Sequence, residues 1–465
     1  STGSEPDEVV QAVASDPAIS SGEKAKARDI LSAVRIVNTV EREARRATAD
    51  EQAALARFPG FGAVALSLFP DPLRGTYKDD AWRELGEELA RLLSPEEYAS
   101  ARRTVFTAFY TAPVVMDAIY AALKRLGVPD DAQVLEPGCG SGNFLAHAPA
   151  AMRFVGVEQD AVSARVASAR FPDQVVRHED FTASRLAQEF DAVVGNVPFA
   201  DIRHEYRGHK LALHDYFLAK SADALKPGGE LACVTSHYTL DKQNAAAREL
   251  LAETCDFVGA IRLPSDAFKR EGTAVVTDIL ILRRRAPGEP AAHADPDWLG
   301  VAPLPLDDRT VTVNRHFLNR PEMVLGRCGK DTLYGTDGYS VTSTGELRDQ
   351  LRSVLALLPE RRPPPAPREP APPVARQPAF TPPPPERHIS EGSFFVGDDR
   401  RVYQLLDGTG TPVTYGGTEL RADGTLTGKR LAALVRLRDH ARRVLQSQNE
   451  GWPADHREAA RRVAR

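Results

Sequence analysis

Glu136, Glu158 and Asp180 stand 22 residues apart, each near the end of a short β-branched run: VLEPG, VGVEQD and VVRHEDF. Carboxylates held in step at the carboxyl ends of successive strands can accept hydrogen bonds from a nucleoside. Glu158 is placed to take both hydroxyls of a ribose. Asp180 can accept from an adenine amino group, and Phe181 can pack on the purine face. Each acid taken singly reads more readily as a helix N-cap or a solvated loop residue; three in step at successive strand ends favour binding. After Glu136 runs GCGSG, where Gly138, Gly140 and Gly142 let the backbone take positive φ and approach a ligand with no Cβ in the way. Dinucleotide-binding folds also use a glycine turn, but this run is GxGxG followed by Asn143 and Phe144, not GxGxxG. Upstream, Tyr110 and Thr111 precede a helix, where a side chain can cover the methionine end of a sulfonium cofactor or simply cap the helix. A fourth strand end, GNVPF (195–199), sets an amide, a proline and an aromatic ring where a parallel sheet would open into a cleft.

The elements that must position these residues follow from the texture of the chain. From Gln133 to Arg285, seven β-branched runs alternate with helical stretches, which predicts an α/β layer fold with a mostly parallel sheet. Residues 1–22 are small, polar and acidic and read as disordered. Residues 23–126 carry a helical period interrupted by FPGFGAV. The α/β region spans 127–286, and 287–358 reads as a loose extension ending in a helix. A proline-rich linker covers 359–387, a spacer or a ligand for an aromatic groove. Residues 388–465 read as a small β-meander with Asp-Asp and Asp-Gly turn signals, followed by a basic helix.

Read in order, FYTAP, LEPGCGSGNF, GVEQD, EDF, GNVPF, LHDYFLAKSADALKPGGELACVTS and IRLPSDAF…GTAVVTDILIL resemble an N6-adenine DNA methyltransferase of the γ-type motif order. Around the last two stretches it is also similar to the modification subunits of type I restriction systems and, more closely, the set resembles large methylase–helicase proteins of phage defence and mobile elements. The similarity covers roughly residues 25–330. It implies a class I SAM-dependent methyltransferase fold: a seven-stranded, mostly parallel, doubly wound sheet whose last strand is inserted antiparallel. It also implies S-adenosyl-L-methionine as cofactor and DNA as partner, with a helicase, ATPase or other defence-system subunit in trans or as a continuation of the chain.

The chemistry of GNVPF follows. An exocyclic amino group is a poor nucleophile, because its lone pair is delocalised into the purine ring. Two acceptors gripping its N–H bonds free that pair: the Asn196 side-chain oxygen and the Val197 main-chain carbonyl. Holding the nitrogen in line with the S–CH3 bond adds an orientation effect. Phe199 stacks on a base turned out of the duplex, and Pro198 fixes the bend. The commoner form of the motif has proline at 197, so valine loosens the loop. Asparagine at 196 favours adenine over cytosine N4 on resemblance alone. Tyr216 is a candidate to line the cofactor floor rather than to act chemically, and Phe268 to pack on the flipped base's other face, with a core position the alternative for Phe268. The stretch ADIRHEYRGHKLALHDYF (200–217) reads as a mobile DNA-facing loop.

Composition bounds these readings. A net charge of −5 over 465 residues leaves DNA binding to local basic surface. Candidates are Arg283-Arg284-Arg285 and the tail from Lys429 to Arg465, where ten Lys/Arg face four Asp/Glu; solvated helix faces or strand ends are the plain alternative. Four scattered cysteines (139, 233, 255, 328) fit neither a structural zinc nor a disulfide framework and suggest a reduced, cytoplasmic setting. No metal is expected, and Cys139 reads as packing. Two other functions stay open: methylation of a protein glutamine or an RNA guanine, and a catalytically weak, cofactor-binding DNA-sensing or scaffold subunit.

Overall fold

The computed structural model describes residues 20, 22–71, 74–103, 111–200, 202–265, 267, 275–306, 309–330, 339–360 and 391–449. Tyr110, Phe268, nearly all of segment 1–22 and the proline-rich stretch lie outside the described residues. The chain divides into two compact units, Ser1–Pro363 and Pro364–Arg465.

The first unit opens with α-helices: α1 (Glu23–Arg42), α2 (Ala49–Ala56), α3 (Ala65–Leu68), α4 (Asp80–Leu92) and α5 (Pro95–Arg103). In α1 the buried positions Ala27, Ile30, Leu31, Val34 and Val37 recur at three and four, so one apolar stripe faces inward. A capping box between Thr48 and Glu51 starts α2. These helices share a core with Val162 and Val166, and so rest on the helix that carries those valines.

Next, α6 (Pro113–Arg125) leads into β1 (Gln133–Pro137), α7 (Asn143–His147), β2 (Arg153–Glu158), α8 (Ala161–Arg170), β3 (Val175–His178) and β4 (Phe190–Asn196). A two-stranded hairpin follows, β5 (Arg203–Tyr206) and β6 (His209–Ala212), and then α9 (Leu213–Ala224) and β7 (Leu225–Ser236). The chain continues through α10 (Tyr238–Asp241), α11 (Ala246–Ala252), β8 (Cys255–Arg262) and β9 (Thr277–Arg284). The sheet order is β3-β2-β1-β4-β7-β9-β8. Neighbours from β3 to β7 are parallel, whereas β9 runs antiparallel to both β7 and β8. The sheet is seven-stranded and mostly parallel, with its last strand inserted antiparallel, as the resemblance implied. The order turns back at β1, between β2 and β4, and such a switch point opens a crevice at the strands' carboxyl ends.

The extension is not loose. Antiparallel strands β10 (Val301–Leu306) and β11 (Arg309–Asn314), helix α12 (Arg315–Asn319), antiparallel strands β12 (Arg327–Lys330) and β13 (Tyr339–Thr342) and helix α13 (Leu347–Leu355) bury Trp298, Phe317, Tyr339 and Val354 in the same core as the sheet. Its strands are four to six residues long, too short for alternation to stand out in sequence. Buried Arg262 on β8 rivets it: the guanidinium donates to Asp278 at 2.8 Å, to Asp241 at 3.0 Å and to the Tyr339 hydroxyl.

The second unit holds an antiparallel three-stranded sheet, β14 (Phe394–Val396), β15 (Val402–Leu406) and β16 (Thr409–Pro412), a two-stranded pair, β17 (Thr414–Tyr415) and β18 (Thr418–Glu419), and α14 (Leu426–Asn449). Asp407 and Gly408 make the positive-φ turn between β15 and β16.

Candidate functional site

A cavity of about 440 Å³ opens at the carboxyl ends of β1, β2, β3 and β4. Of the residues singled out above, Thr111, Glu136, Gly138, Gly140, Asn143, Phe144, Glu158, Asp180, Phe181, Asn196 and Pro198 line it. The glycine turn is bent as its sequence requires, with φ of +76° at Gly138 and +81° at Gly142. A Cβ on Gly142 would come within 2.7 Å of the Phe171 ring. A Cβ on Gly138 would point at Phe217 and Pro198, 3.9 and 4.0 Å away, which shows how near the first strand's turn comes to the NVPF loop.

The acids are held in different ways. Glu158 accepts the Gly140 N–H at 2.8 Å on one oxygen and the Asp160 N–H at 2.7 Å on the other. Burial pushes its carboxyl up to about 7, with Asp160 adding to the rise and the backbone amides opposing it. Glu136 is 3% exposed, and its Oε2 is buried without a hydrogen-bond partner. Burial and then the neighbouring Glu158 raise its pKa well above the usual carboxylate range. Asp180 accepts the Thr182 N–H and hydroxyl on Oδ1, both at 2.8 Å, so it caps its own turn while still lining the cavity. Phe181 packs on Phe217 with ring centroids 4.5 Å apart. Asn143 accepts from Arg170, which also donates to the Ser141 carbonyl. Buried Cys139 keeps its thiol protonated, its pKa raised well above normal by burial and by the two glutamates.

At the fourth strand end the pleat separates neighbours. Asn196 and Pro198 line the cavity, whereas Val197 is 1% exposed, belongs to the core, and donates its N–H to Val234 at 3.1 Å. Phe199 is half-buried beside that core and meets His214 edge-on, centroids 6.3 Å apart. His214 is buried and both its ring nitrogens lack a hydrogen-bond partner; burial lowers its pKa, which keeps the ring neutral.

Three expectations change. Tyr216 does not reach the cavity: it is packed between His204, Tyr206 and Phe217 and donates its hydroxyl to the Thr182 carbonyl at 3.2 Å. Most of the stretch read as a mobile DNA-facing loop is hairpin β5–β6, turned by Arg207 and Gly208 at φ +48° and +80°, with Tyr206 donating to Asp223 at 2.6 Å. Two four-residue runs around Arg-Gly were the available signal. Arg283, Arg284 and Arg285 are not a free basic patch, since they pair with Glu230, Asp223 and Asp256. The site residues that sequence reasoning missed include Ser163, Thr182, Ile202 and Leu213, and above all Phe58, Pro59, Gly60, Phe61 and Ser100 from the N-terminal helices.

The lining fits a donor-rich, cationic nucleoside. Five of its side chains are acids (Glu136, Glu158, Asp160, Glu179, Asp180) and none of those described is Lys or Arg. A dinucleotide's phosphates would find no cation among these side chains, whereas ribose hydroxyls, an ammonium and a sulfonium would find hydrogen-bonding oxygens. The orphaned Glu136 oxygen is a hydrogen-bonding group that the protein itself leaves unused. Among the described residues, no group of three His, Cys, Asp or Glu could hold a metal. Nor is any described helix long and apolar enough to cross a membrane.

Residues 117–255 match the family model of the methyltransferase small domain. Over 186 residues the chain is 29% identical to Defense against restriction protein B of Escherichia phage P1, which takes in 38% of this chain and 8% of that protein. Over 195 residues it is 28% identical to the type II methyltransferase M.CvrRI of Paramecium bursaria Chlorella virus XZ-6E, 39% of this chain and 49% of that one. Both matches therefore span less than half of the relative's length. The type I restriction-modification methyltransferase subunit from Streptococcus thermophilus superposes on 57% of this chain and 65% of its own, at 18% identity and a TM-score of 0.36.

Proposed function

We propose that this chain, whose residues 117–255 match a methyltransferase domain, transfers a methyl group from S-adenosyl-L-methionine to adenine N6 in DNA, within a system of the restriction-modification kind. One observation carries the reading: Asn196 and Pro198 share a single cavity with Glu136, Glu158 and Asp180, so an amino-group acceptor and a nucleoside site are one continuous space. When bound, S-adenosyl-L-methionine supplies an electrophilic methyl group at a sulfonium. In this reading Glu158 holds its ribose, Asp180 and Phe181 its adenine, and Glu136 the amino-acid end; Tyr110 and Thr111 cover that end.

The protein's own contribution is to the acceptor. Asn196 Oδ1 and the Val197 carbonyl take the two amino hydrogens of the flipped base, which localises the nitrogen lone pair. Pro198 holds the bend between them and Phe199, and Phe199 contributes a stacking face, roughly 1–3 kcal/mol for one base. Neutral His214 supports Phe199 from behind. Phe268 remains the candidate for the base's other face. DNA as substrate is suggested by the type II methyltransferase and the restriction-defence protein among the relatives; a helicase or other subunit as partner is part of the same proposal.

Labelled S-adenosyl-L-methionine incubated with genomic DNA, RNA or protein tests this. Label in DNA, mapped to adenine N6 and lost in Asn196→Ala, is the expected result. Label only in RNA or protein would replace the substrate assignment. Binding of S-adenosyl-L-homocysteine without transfer, even with partner subunits added, would make the chain a sensor or scaffold.

A further inference from the structure

The helical module does more than pack on the catalytic core, because one of its turns enters the cavity. Phe58, Pro59, Gly60 and Phe61, between α2 and α3, line the same space as the ends of β1, β2 and β3, and Ser100 on α5 joins them. The turn is anchored from behind. Phe58 and Phe61 are each 1% exposed, meet edge-on with centroids 5.8 Å apart, and share a core with Val162 and Val166 of α8. That leaves the half-buried Pro59–Gly60 peptide as the part free to face the cavity. Gly60 holds φ +70°, and a Cβ built there meets nothing within 4 Å. A side chain at this position would grow into open space.

A second line of hydrogen bonds leads from the module to the nucleoside end. Ser100 Oγ donates to Asp160 Oδ1 at 3.1 Å. Asp160 caps α8 through Ser163, and its N–H donates to Glu158 Oε1 at 2.7 Å. Other bonds hold module and α8 together: Gln52 donates to the Ala169 carbonyl at 2.8 Å, and Arg165 reaches Asn38 at 2.7 Å and Glu97 at 2.5 Å. The carboxylate read as the ribose acceptor is thus linked, through two hydrogen bonds, to a helix of the module. A ligand filling this cavity touches both bodies.

We infer that the Phe58–Phe61 turn and Ser100 form the outer wall of the cofactor's nucleoside end, so that cofactor binding clamps the helical module onto α8. Pro59 presents a flat apolar ring and Gly60 a bare peptide, surfaces suited to a heteroaromatic nucleoside lying flat beneath them. The inference rests on the reading that the cavity takes S-adenosyl-L-methionine.

Calorimetric titration of the full chain with S-adenosyl-L-homocysteine tests it. Asparagine tolerates the left-handed region, so Gly60→Asn keeps the turn's backbone while adding an amide at a residue that lines the cavity. Gly75→Asn is the matched control: φ is +66°, a Cβ there also meets nothing within 4 Å, and the residue lies in the same module but off the cavity. Gly60→Asn is expected to weaken binding at least tenfold and Gly75→Asn to leave it unchanged. In the wild type, ligand should slow amide hydrogen exchange at residues 58, 60 and 61 and along α5. Equal affinity of Gly60→Asn and wild type, or unchanged exchange at that turn, overturns the inference alone. A wild-type chain that fails to bind S-adenosyl-L-homocysteine overturns the cofactor reading, and the inference with it.

Discussion

Asn196 and Val197 are adjacent in sequence and opposite in duty, because a strand's side chains alternate across its faces. The Asn196 amide lines the cavity while the Val197 side chain fills core. Replacing each with alanine should therefore have different consequences. Asn196→Ala should slow methyl transfer by about two to three orders of magnitude, the scale for one preorganised polar partner, with S-adenosyl-L-homocysteine affinity kept. Val197→Ala should cost roughly 2 kcal/mol of stability and change the rate far less, since the peptide carbonyl stays. Single-turnover rates and melting curves on both variants separate the two; a large rate loss confined to Val197→Ala would reverse the assignment. Glu158 gives a prediction in pH. Its carboxyl titrates near 7 in the free protein, beside Glu136, Asp160 and the Gly140 and Asp160 amides. The ionised form is the better acceptor for ribose hydroxyls, so affinity for S-adenosyl-L-homocysteine should rise from pH 6 to 8. The ligand-free fold binds this proton more tightly than the unfolded chain does, so the Glu158 contribution to stability has the opposite slope and falls as pH rises from the normal carboxylate range to about 7. A pH-independent affinity would remove Glu158 from the ribose. These residues were legible because strand ends recur in step. The partners of Arg283, Arg284 and Arg285 were not, because a run of like charge says nothing about the acids that other strands bring to it.

At the scale of elements, the central parallel strands were readable from their apolar runs, since a strand covered on both faces has little polar alternation to hide it, whereas edge strand β3 is partly exposed. What escaped were elements whose stability comes from elsewhere. Hairpin β5–β6 is polar along most of its length and is held through its own Tyr206 by Tyr216 and Asp223, which no local pattern connects to it. The extension depends likewise on Arg262, a fully buried cation whose partners come from α10, β9 and β13. Arg262→Met should leave Asp241 and Asp278 buried without their cation and lower stability by about 3–5 kcal/mol, the cost of breaking a buried pair by removing one partner. Thermal unfolding checks this. A loss under about 1 kcal/mol would mean that water or rearrangement satisfies the acids, and that hydrophobic packing alone holds the extension.

At the scale of the whole molecule, every described residue lining the cavity falls between Phe58 and Phe217, inside the unit that ends at Pro363. That unit has its own continuous core from α6 through the sheet to Leu358, while β14–β18 and α14 have a small one of their own around Val402, Leu420 and Ala432. Cutting the chain between the units therefore tests whether the proposed cofactor binding and nucleic-acid engagement separate. A version ending at residue 363 should bind S-adenosyl-L-homocysteine with the affinity of the full chain, because no lining residue is removed. Its affinity for DNA should fall, and the salt dependence of binding should flatten, if α14 neutralises phosphates. The slope of log K against log salt flattens by about 0.9 for every duplex phosphate that α14 no longer neutralises. Within the described part of α14, Lys429, Arg430, Arg436, Arg438, Arg442 and Arg443 outnumber the single acid Asp439, so the helix has charge enough to engage several phosphates. An unchanged slope would confine DNA binding to the first unit, where hairpin β5–β6, with exposed Arg203 and Lys210 beside the cavity-lining Ile202 and His204, follows the NVPF loop directly in the chain. A loss of S-adenosyl-L-homocysteine affinity on truncation would instead tie the second unit to the fold of the first.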